Sequence, residues 1–118
     1  MRFQAVVPTS RGTFAGVFGL VNGLAVQGRL DRAQHVFRRL NNDWYDANFT
    51  NPSNVDPEVY ELPGAAAWFK ASAVHLISRV PGYLAILDVH GIQWCRVESD
   101  DPGRIVYEDA DQVVVVPH

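Results

Sequence analysis

The order of two hydrophobic patterns constrains the fold of this chain more than any other feature. Helical periodicity occupies the middle of the sequence, and β-rich runs occupy both ends. This segregation is typical of an α+β protein, in which helices pack on an antiparallel sheet. We therefore predict two or three central helices on a sheet formed by a C-terminal β-meander and the N-terminal strand. The length of 118 residues suits a single domain, 1–118.

The strongest helix signal starts at Asp31. Asp31 and Gln34 have the spacing of a capping box, in which each side chain accepts a hydrogen bond from a backbone N–H at the helix start. The helix is predicted to run to about Asn48. Its apolar residues recur with the 3.6-residue period and predict the buried face: Ala33, Val36, Phe37, Leu40, Trp44 and Ala47.

Two further helices are predicted downstream. One spans 64–80, behind a proline, and has an apolar face of its own. The other spans 83–90, because Pro81 suits a first helical turn and Gly91 suits the left-handed position just past a helix end. A short apolar run also fits a buried strand, so a strand at 83–87 is the alternative. The face predicted to be buried in the first of these helices comprises Ala65, Phe69, Ala73, Leu76, Ile77 and Val80.

The strands are predicted from β-branched and aromatic runs that turn residues interrupt. Such runs lie at 2–7, 92–97, 104–107 and Gln112–Val116. The unbroken valines at the end of the last run are typical of a strand that is buried on both faces.

The segment 9–28 gives conflicting signals. Its apolar residues have helical spacing, but Gly16, Gly19 and Gly23 each cost about 1 kcal/mol in a helix interior. The dipeptide Asn22-Gly23 is also a strong hairpin signal. We therefore expect extended or hairpin-like structure here.

Composition excludes several kinds of site. The single cysteine, Cys95, cannot form an intramolecular disulfide or a multi-cysteine zinc site. No two of the four histidines have a spacing that would place two ligands on one face, so we expect neither a metal nor a cofactor. The sequence contains no secretory or membrane-spanning segment, which leads us to expect a cytoplasmic protein without a membrane partner.

Charge is polarised along the chain, although the net charge is only −3. Residues 1–60 carry six basic and five acidic side chains, whereas residues 61–118 carry four and eight. Arg29, Arg32 and Arg39 flank one edge of the apolar face of the first helix, while Arg38 points away from it. These arginines are candidate binding residues for an acidic partner, and a small nucleic-acid-binding protein is one alternative function.

A polar and aromatic stripe follows the predicted helix 64–80. Trp68, Ser72, His75 and Arg79 recur at i, i+4, i+7 and i+11 and would share one face of that helix. Tryptophan and arginine are frequent at interface hot spots, so these four are candidate binding residues. Together with aromatic residues around the preceding loop, they are predicted to line a groove for a partner or a small ligand: Trp44, Tyr45, Phe49 and Tyr60.

The sequence contains none of the standard catalytic motifs. We therefore expect a non-catalytic interaction or regulatory module that binds a protein partner or self-associates as a homodimer. The enzymatic alternative is a small hydrolase or transferase that uses His75 or His90 beside a carboxylate.

Overall fold

A computed structural model describes all residues of the chain, 1–118. It confirms the α+β prediction, since the chain contains both helices and antiparallel sheets. A short 3-10 turn at Val59–Glu61 lies between the helix Pro52–Val55 and the strand Ala66–Phe69. In chain order the elements are β1 (Arg2–Ala5), α1 (Val17–Val26), α2 (Arg32–Asn48), α3 (Pro52–Val55), β2 (Ala66–Phe69), α4 (Val74–Ile77), α5 (Pro81–Val89), β3 (Trp94–Val97), β4 (Arg104–Glu108) and β5 (Gln112–Val116).

The strands form two antiparallel sheets, whereas the sequence predicted one. β1 pairs with β3, and β5 lies between β2 and β4. The C-terminal meander is therefore divided, because β3 pairs with the N-terminal strand and β5 pairs with β2, a strand that the sequence analysis missed. The two sheets meet where the backbone N–H of Phe69 donates to the carbonyl of Met1 at 2.8 Å.

The expectation of extended structure in segment 9–28 is wrong for its second half, which forms α1. Val17, Val21 and Leu24 lie at i, i+4 and i+7 and are buried. Burial of three such side chains contributes roughly 5–9 kcal/mol, more than the two interior glycines cost together. Asn22 belongs to the helix, where its side-chain oxygen accepts hydrogen bonds from two residues of α2.

The predicted helix 64–80 is also wrong. Its first part is β2, where Trp68 pairs with Val113 of β5, and its second part contains the four-residue helix α4. Phe69, Ala73, Leu76 and Val80 are nevertheless buried, because a strand, a turn and a short helix bring them to the same core. Helical spacing therefore identified core residues correctly within an incorrect element.

The boundaries of α2 and its capping box are confirmed, but its orientation differs from the prediction. The Asp31 carboxylate accepts from the Gln34 N–H at 2.8 Å, and the Gln34 side chain accepts from the Asp31 N–H. The apolar stripe chosen from the sequence faces mainly outward, since Val36 and Leu40 are exposed. The inward face of α2 is aromatic and polar and contains Gln34, Phe37, Arg38, Asn41, Asn42 and Tyr45. Phe49 follows as the C-cap and packs on Tyr45.

The helix predicted at 83–90 is confirmed as α5, and Gly91 follows it with the left-handed φ of +69°. The fully buried Tyr83 of α5 forms the centre of an aromatic cluster with Phe18, Phe37 and Tyr45. The predicted burial of the valines of β5 is confirmed for Val114, Val115 and Val116, whereas Val113 is partly exposed.

Candidate functional site

A cavity of about 270 Å³ lies where the start of α1, the end of α2, β1 and β2 converge. Aromatic side chains form most of its apolar wall and hold it open, because their ring edges pack against one another. These rings are Phe3, Phe18, Tyr45, Phe49, Tyr60, Trp68 and Phe69. A larger groove of about 800 Å³ shares Arg2, Tyr60 and Trp68 with the cavity.

Arg2 places an uncompensated positive charge in this wall. Its guanidinium donates to three neutral oxygens: the side chain of Gln4 at 3.0 Å, the carbonyl of Ala67 at 2.9 Å and the carbonyl of Phe14 at 3.0 Å. None of the four ion pairs of the structure includes Arg2. A guanidinium has five N–H donors, so one on each terminal nitrogen is left for a ligand.

The start of α1 adds to the positive character of the cavity. Gly16 is the N-cap of α1, no side chain caps this end, and Gly16, Val17 and Phe18 all line the cavity. The N-terminal end of a helix carries about half a positive charge. A Cβ at position 16 would lie 3.3 Å from the Arg2 guanidinium, so the glycine allows Arg2 to approach the helix end closely.

Gln112 supplies a hydrogen-bond acceptor to the cavity wall. This residue at the start of β5 is buried, and its amide nitrogen donates to the carbonyl of Thr50 at 2.7 Å and to Asp109 Oδ2 at 2.9 Å. Its Oε1 atom is buried without a hydrogen-bond partner, and the residue lines the cavity. A buried acceptor without a donor is unfavourable, so a ligand that donates there would gain free energy.

Asp109 holds Gln112 in place through a compact network in the β4–β5 turn. Its Oδ1 accepts from the N–H groups of Asp111 and Gln112, at 2.9 and 3.1 Å. Its Oδ2 accepts from the Tyr107 hydroxyl at 2.7 Å and from the Gln112 amide. Burial alone raises the pKa of Asp109, but these hydrogen bonds outweigh it and lower the pKa below its ordinary value of 3.8.

Other ionisable groups in the wall leave its positive character intact. Burial raises the pKa of Tyr60, and the smaller opposing effect of Arg2 does not reverse this, so the side chain remains a neutral phenol. Desolvation lowers the pKa of Arg2, but a guanidinium remains charged in proteins. Asp46 is the carboxylate of the wall, and it is exposed, where water and salt screen its charge.

The structure separates the four residues of the predicted stripe. Trp68 lies on β2 in the cavity wall, and Ser72 lies in the turn before α4. His75 is on α4, with Nε2 4.0 Å from Asp111 Oδ1. Arg79 follows α4, where its guanidinium lies 3.9 Å from the ring centroid of Trp44. The idea that these four share one helical face is therefore wrong.

Most of the aromatic residues predicted to line a groove do line the cavity, but they come from elements other than the predicted helix. Tyr45, Phe49, Tyr60 and Trp68 do line one cavity, as the sequence analysis expected of the aromatic residues around the loop. They meet there because β2 lies beside β1, not because they follow a helix. Trp44 is outside the cavity, on the side of α2 that contacts Arg79.

The predicted basic residues lie on a different surface. Arg32 and Arg39 are exposed on the outer side of α2, and Arg29 is exposed in the linker before it. Arg38 points away from them, as expected, and donates to Asn22 at 2.9 Å. The use of these arginines in binding stays a prediction.

Neither histidine of the enzymatic alternative lines the cavity. His75 is more than half exposed beside Asp111, and the Nε2 atom of His90 lies 3.1 Å from the Gln34 side chain. No group of three His, Cys, Asp or Glu side chains is arranged to hold a metal ion.

The sequence analysis missed Arg2 and Gln112 for a definite reason. On β1, Arg2 and Gln4 alternate with Phe3 and Ala5, which normally assigns the polar pair to solvent. Here a second sheet and a loop cover the polar face. Gln112 precedes a run of valines, a position where a polar residue is usually taken for the start of a turn.

Comparison with protein-family models, with curated proteins and with solved structures finds no match for this chain. No helix is both long enough and apolar enough to cross a membrane. The inference of function therefore depends on the geometry of the cavity and of the exposed surfaces.

Proposed function

We propose that the protein is a non-catalytic cytoplasmic binding module whose cavity takes a small molecule with one flat apolar ring and one anionic group. Arg2 carries this proposal, because its partly buried charge has no carboxylate partner within the protein. A ligand carboxylate or similar anion would provide the missing counter-charge, and the start of α1 would attract it further.

The size and the lining of the cavity define the rest of the ligand. A volume of about 270 Å³ lies just below the lower end of the usual range for small-molecule sites, which is roughly 300 Å³. It therefore suits a single ring better than a fused polycyclic ligand. Rings in the wall favour a planar aromatic body, and the free Oε1 of Gln112 favours a ligand that also carries a hydroxyl or N–H donor.

The wall also explains why binding is favoured over catalysis. It contains no histidine, cysteine or lysine, so the groups that most often act as nucleophile or general base in hydrolases are outside it. The observation supports a module that senses or carries its ligand.

Ligand titration with matched probes tests the proposal. We expect benzoate and 4-hydroxybenzoate to change tryptophan fluorescence and to raise the melting temperature, since Trp68 lies in the wall and bound ligand stabilises the folded state. Benzamide, which is neutral and of the same shape, is expected to bind at least about tenfold more weakly. Equal affinity for benzoate and benzamide would show that Arg2 does not select the ligand.

Two variants assign the effect to the cavity. Arg2→Met is expected to remove the preference for the carboxylate, whereas Arg29→Met, a matched loss of charge on the exposed linker, is expected to leave it unchanged. Gln112→Leu is expected to remove the advantage of 4-hydroxybenzoate over benzoate while benzoate still binds. The comparison of benzoate with benzamide on the original chain keeps the test valid if either variant fails to fold.

A further inference from the structure

The outer face of α2 is an unpartnered apolar row. Val36 is 41% exposed and Leu40 is 59% exposed, and the two side chains lie on successive turns of the same helix face. Ala33 and Ala47 continue the row toward the two helix ends and are also exposed. These four residues are referred to below as the α2 row. Nothing else in the chain covers it.

The charges beside the α2 row change sign halfway along the helix. Arg32 and Arg39 lie beside its first half, and Asp43 and Asp46 lie beside its second half. With 3.6 residues per turn, all four project on the same side of the row. All four are exposed, and none takes part in the ion pairs within the chain.

We propose that a second copy of this chain covers the α2 row, with the two α2 helices packed antiparallel about a two-fold axis at Leu40. In an antiparallel pair, a given side of one helix faces the same side of the other. The basic half of each copy then lies against the acidic half of its partner. In a parallel pair, the charged side of one helix would lie on the opposite edge of the seam from the charged side of the other, so neither charge pair would form.

The sequence positions agree with a single axis. Ala33 and Ala47 lie equally far from Leu40 on either side, so Ala33 of each copy faces Ala47 of the other. These small side chains allow the two helices to approach closely. Arg39 then lies about 3 Å along the helix axis from Asp43 of the second copy, and Arg32 is offset by the same amount from Asp46. One arrangement thus satisfies the apolar contacts and both charge pairs.

The interaction is expected to be reversible. One helix pair buries less than the roughly 1,200 Å² at which stable interfaces begin, so we expect a dissociation constant in the micromolar range or weaker. Benzoate binding and dimerisation are measured separately, and Arg39 and Asp43, the residues changed in the test below, lie outside the cavity wall.

Sedimentation velocity over a concentration series tests the proposal by charge reversal. Arg39→Glu is expected to weaken dimerisation about tenfold or more, because it faces Asp43 of the second copy. Asp43→Arg is expected to do the same. The double variant Arg39→Glu/Asp43→Arg is expected to restore dimerisation to within about threefold of the original, because the pair is reversed and kept. Arg104→Glu makes the same change of net charge on exposed β4 and is the control.

Three results would overturn the proposal. The first is that the original chain sediments as a monomer at millimolar concentration. The second is that Arg39→Glu dimerises as strongly as Arg104→Glu. The third is that the double variant dimerises more weakly than both single variants. A monomer that instead binds single-stranded DNA at low salt through Arg32 and Arg39 would support the nucleic-acid alternative. All substitutions are at exposed positions, so circular dichroism is expected to show unchanged helix content.

Discussion

Replacing Asp109 with asparagine tests how the β4–β5 turn fixes the buried end of β5. The carboxylate accepts four hydrogen bonds in the structure, two at each oxygen. Asparagine keeps the shape of the side chain but has a single acceptor oxygen, so two of the four donors lose their acceptor. Gln112 and Tyr107 are the donors at Oδ2 and would be affected if the amide oxygen remains with the backbone N–H groups.

The expected cost is about 2 kcal/mol in the free energy of unfolding. A hydrogen bond to a charged group contributes about 1.5–3 kcal/mol, and the bond from the buried Gln112 amide belongs to this class. The hydroxyl of Tyr107 is half-buried, and water replaces its partner at little cost. With an unfolding entropy of about 2.1 cal/mol/K per residue, the melting temperature of this 118-residue chain should fall by about 8 °C.

The stability lost in Asp109→Asn is expected to become smaller as the pH is lowered into strong acid. The folded pKa of Asp109 lies below the ordinary 3.8, so its stabilisation is complete well above that value. It is lost as the pH falls through the folded pKa, where the carboxyl of the original protein becomes protonated. The difference in melting temperature between the original protein and Asp109→Asn should therefore shrink in strong acid.

Differential scanning calorimetry across pH measures both effects. Asp111→Asn is the matched control, since it changes the same charge in the same turn but removes only a 4.0 Å contact with His75. A difference below about 2 °C at neutral pH would refute the assigned strength of the network. A large difference that stays constant into strong acid would refute the assignment to the carboxylate charge.

Two further predictions concern the tyrosines. Tyr45→Phe removes a 2.7 Å hydrogen bond from the hydroxyl to the carbonyl of buried Leu76, so chemical denaturation should show a loss of about 1–2 kcal/mol, against less than about 0.5 kcal/mol for the exposed control Tyr60→Phe. Burial raises the pKa of Tyr83, and a hydrogen bond to Asp109 raises the pKa of Tyr107, each to about 12. Their stabilisation is therefore lost only as pH rises from 10 toward 12. Ultraviolet titration of the Tyr60→Phe variant should show little phenolate at pH 10, and a substantial phenolate signal from the folded variant at that pH would contradict the raised pKa values.

Local signals in the sequence predicted the elements that local chemistry specifies. The capping box of Asp31 and Gln34 set the start of α2, and Gly91 marked the end of α5. The valines of β5 indicated a strand buried on both faces. These features need no knowledge of which element packs against which.

Features that depend on tertiary contacts were not predictable in the same way. Val36 and Leu40 look like core residues by spacing, yet α2 packs through Tyr45 and Asn42, whose polar atoms find partners on Leu76 and Tyr83. Hydrophobic periodicity carries no information about such partners. The cavity has the same origin, because Arg2 is partly covered only when β2 lies beside β1, where its guanidinium donates to the carbonyl of Ala67.

The strand order has a consequence for how the chain folds during synthesis. β1 pairs with β3 across most of the chain, and β2 has no partner until β5 is made. The early part of the nascent chain can therefore form α1 and α2 but neither sheet. Such long-range pairing slows folding. Until the last strand emerges, β2 and β4 have no strand partner on either edge, and each is an outer strand of the finished sheet. The charged side chains on or beside them, Lys70, Arg104 and Glu108, disfavour pairing of these edges with other chains.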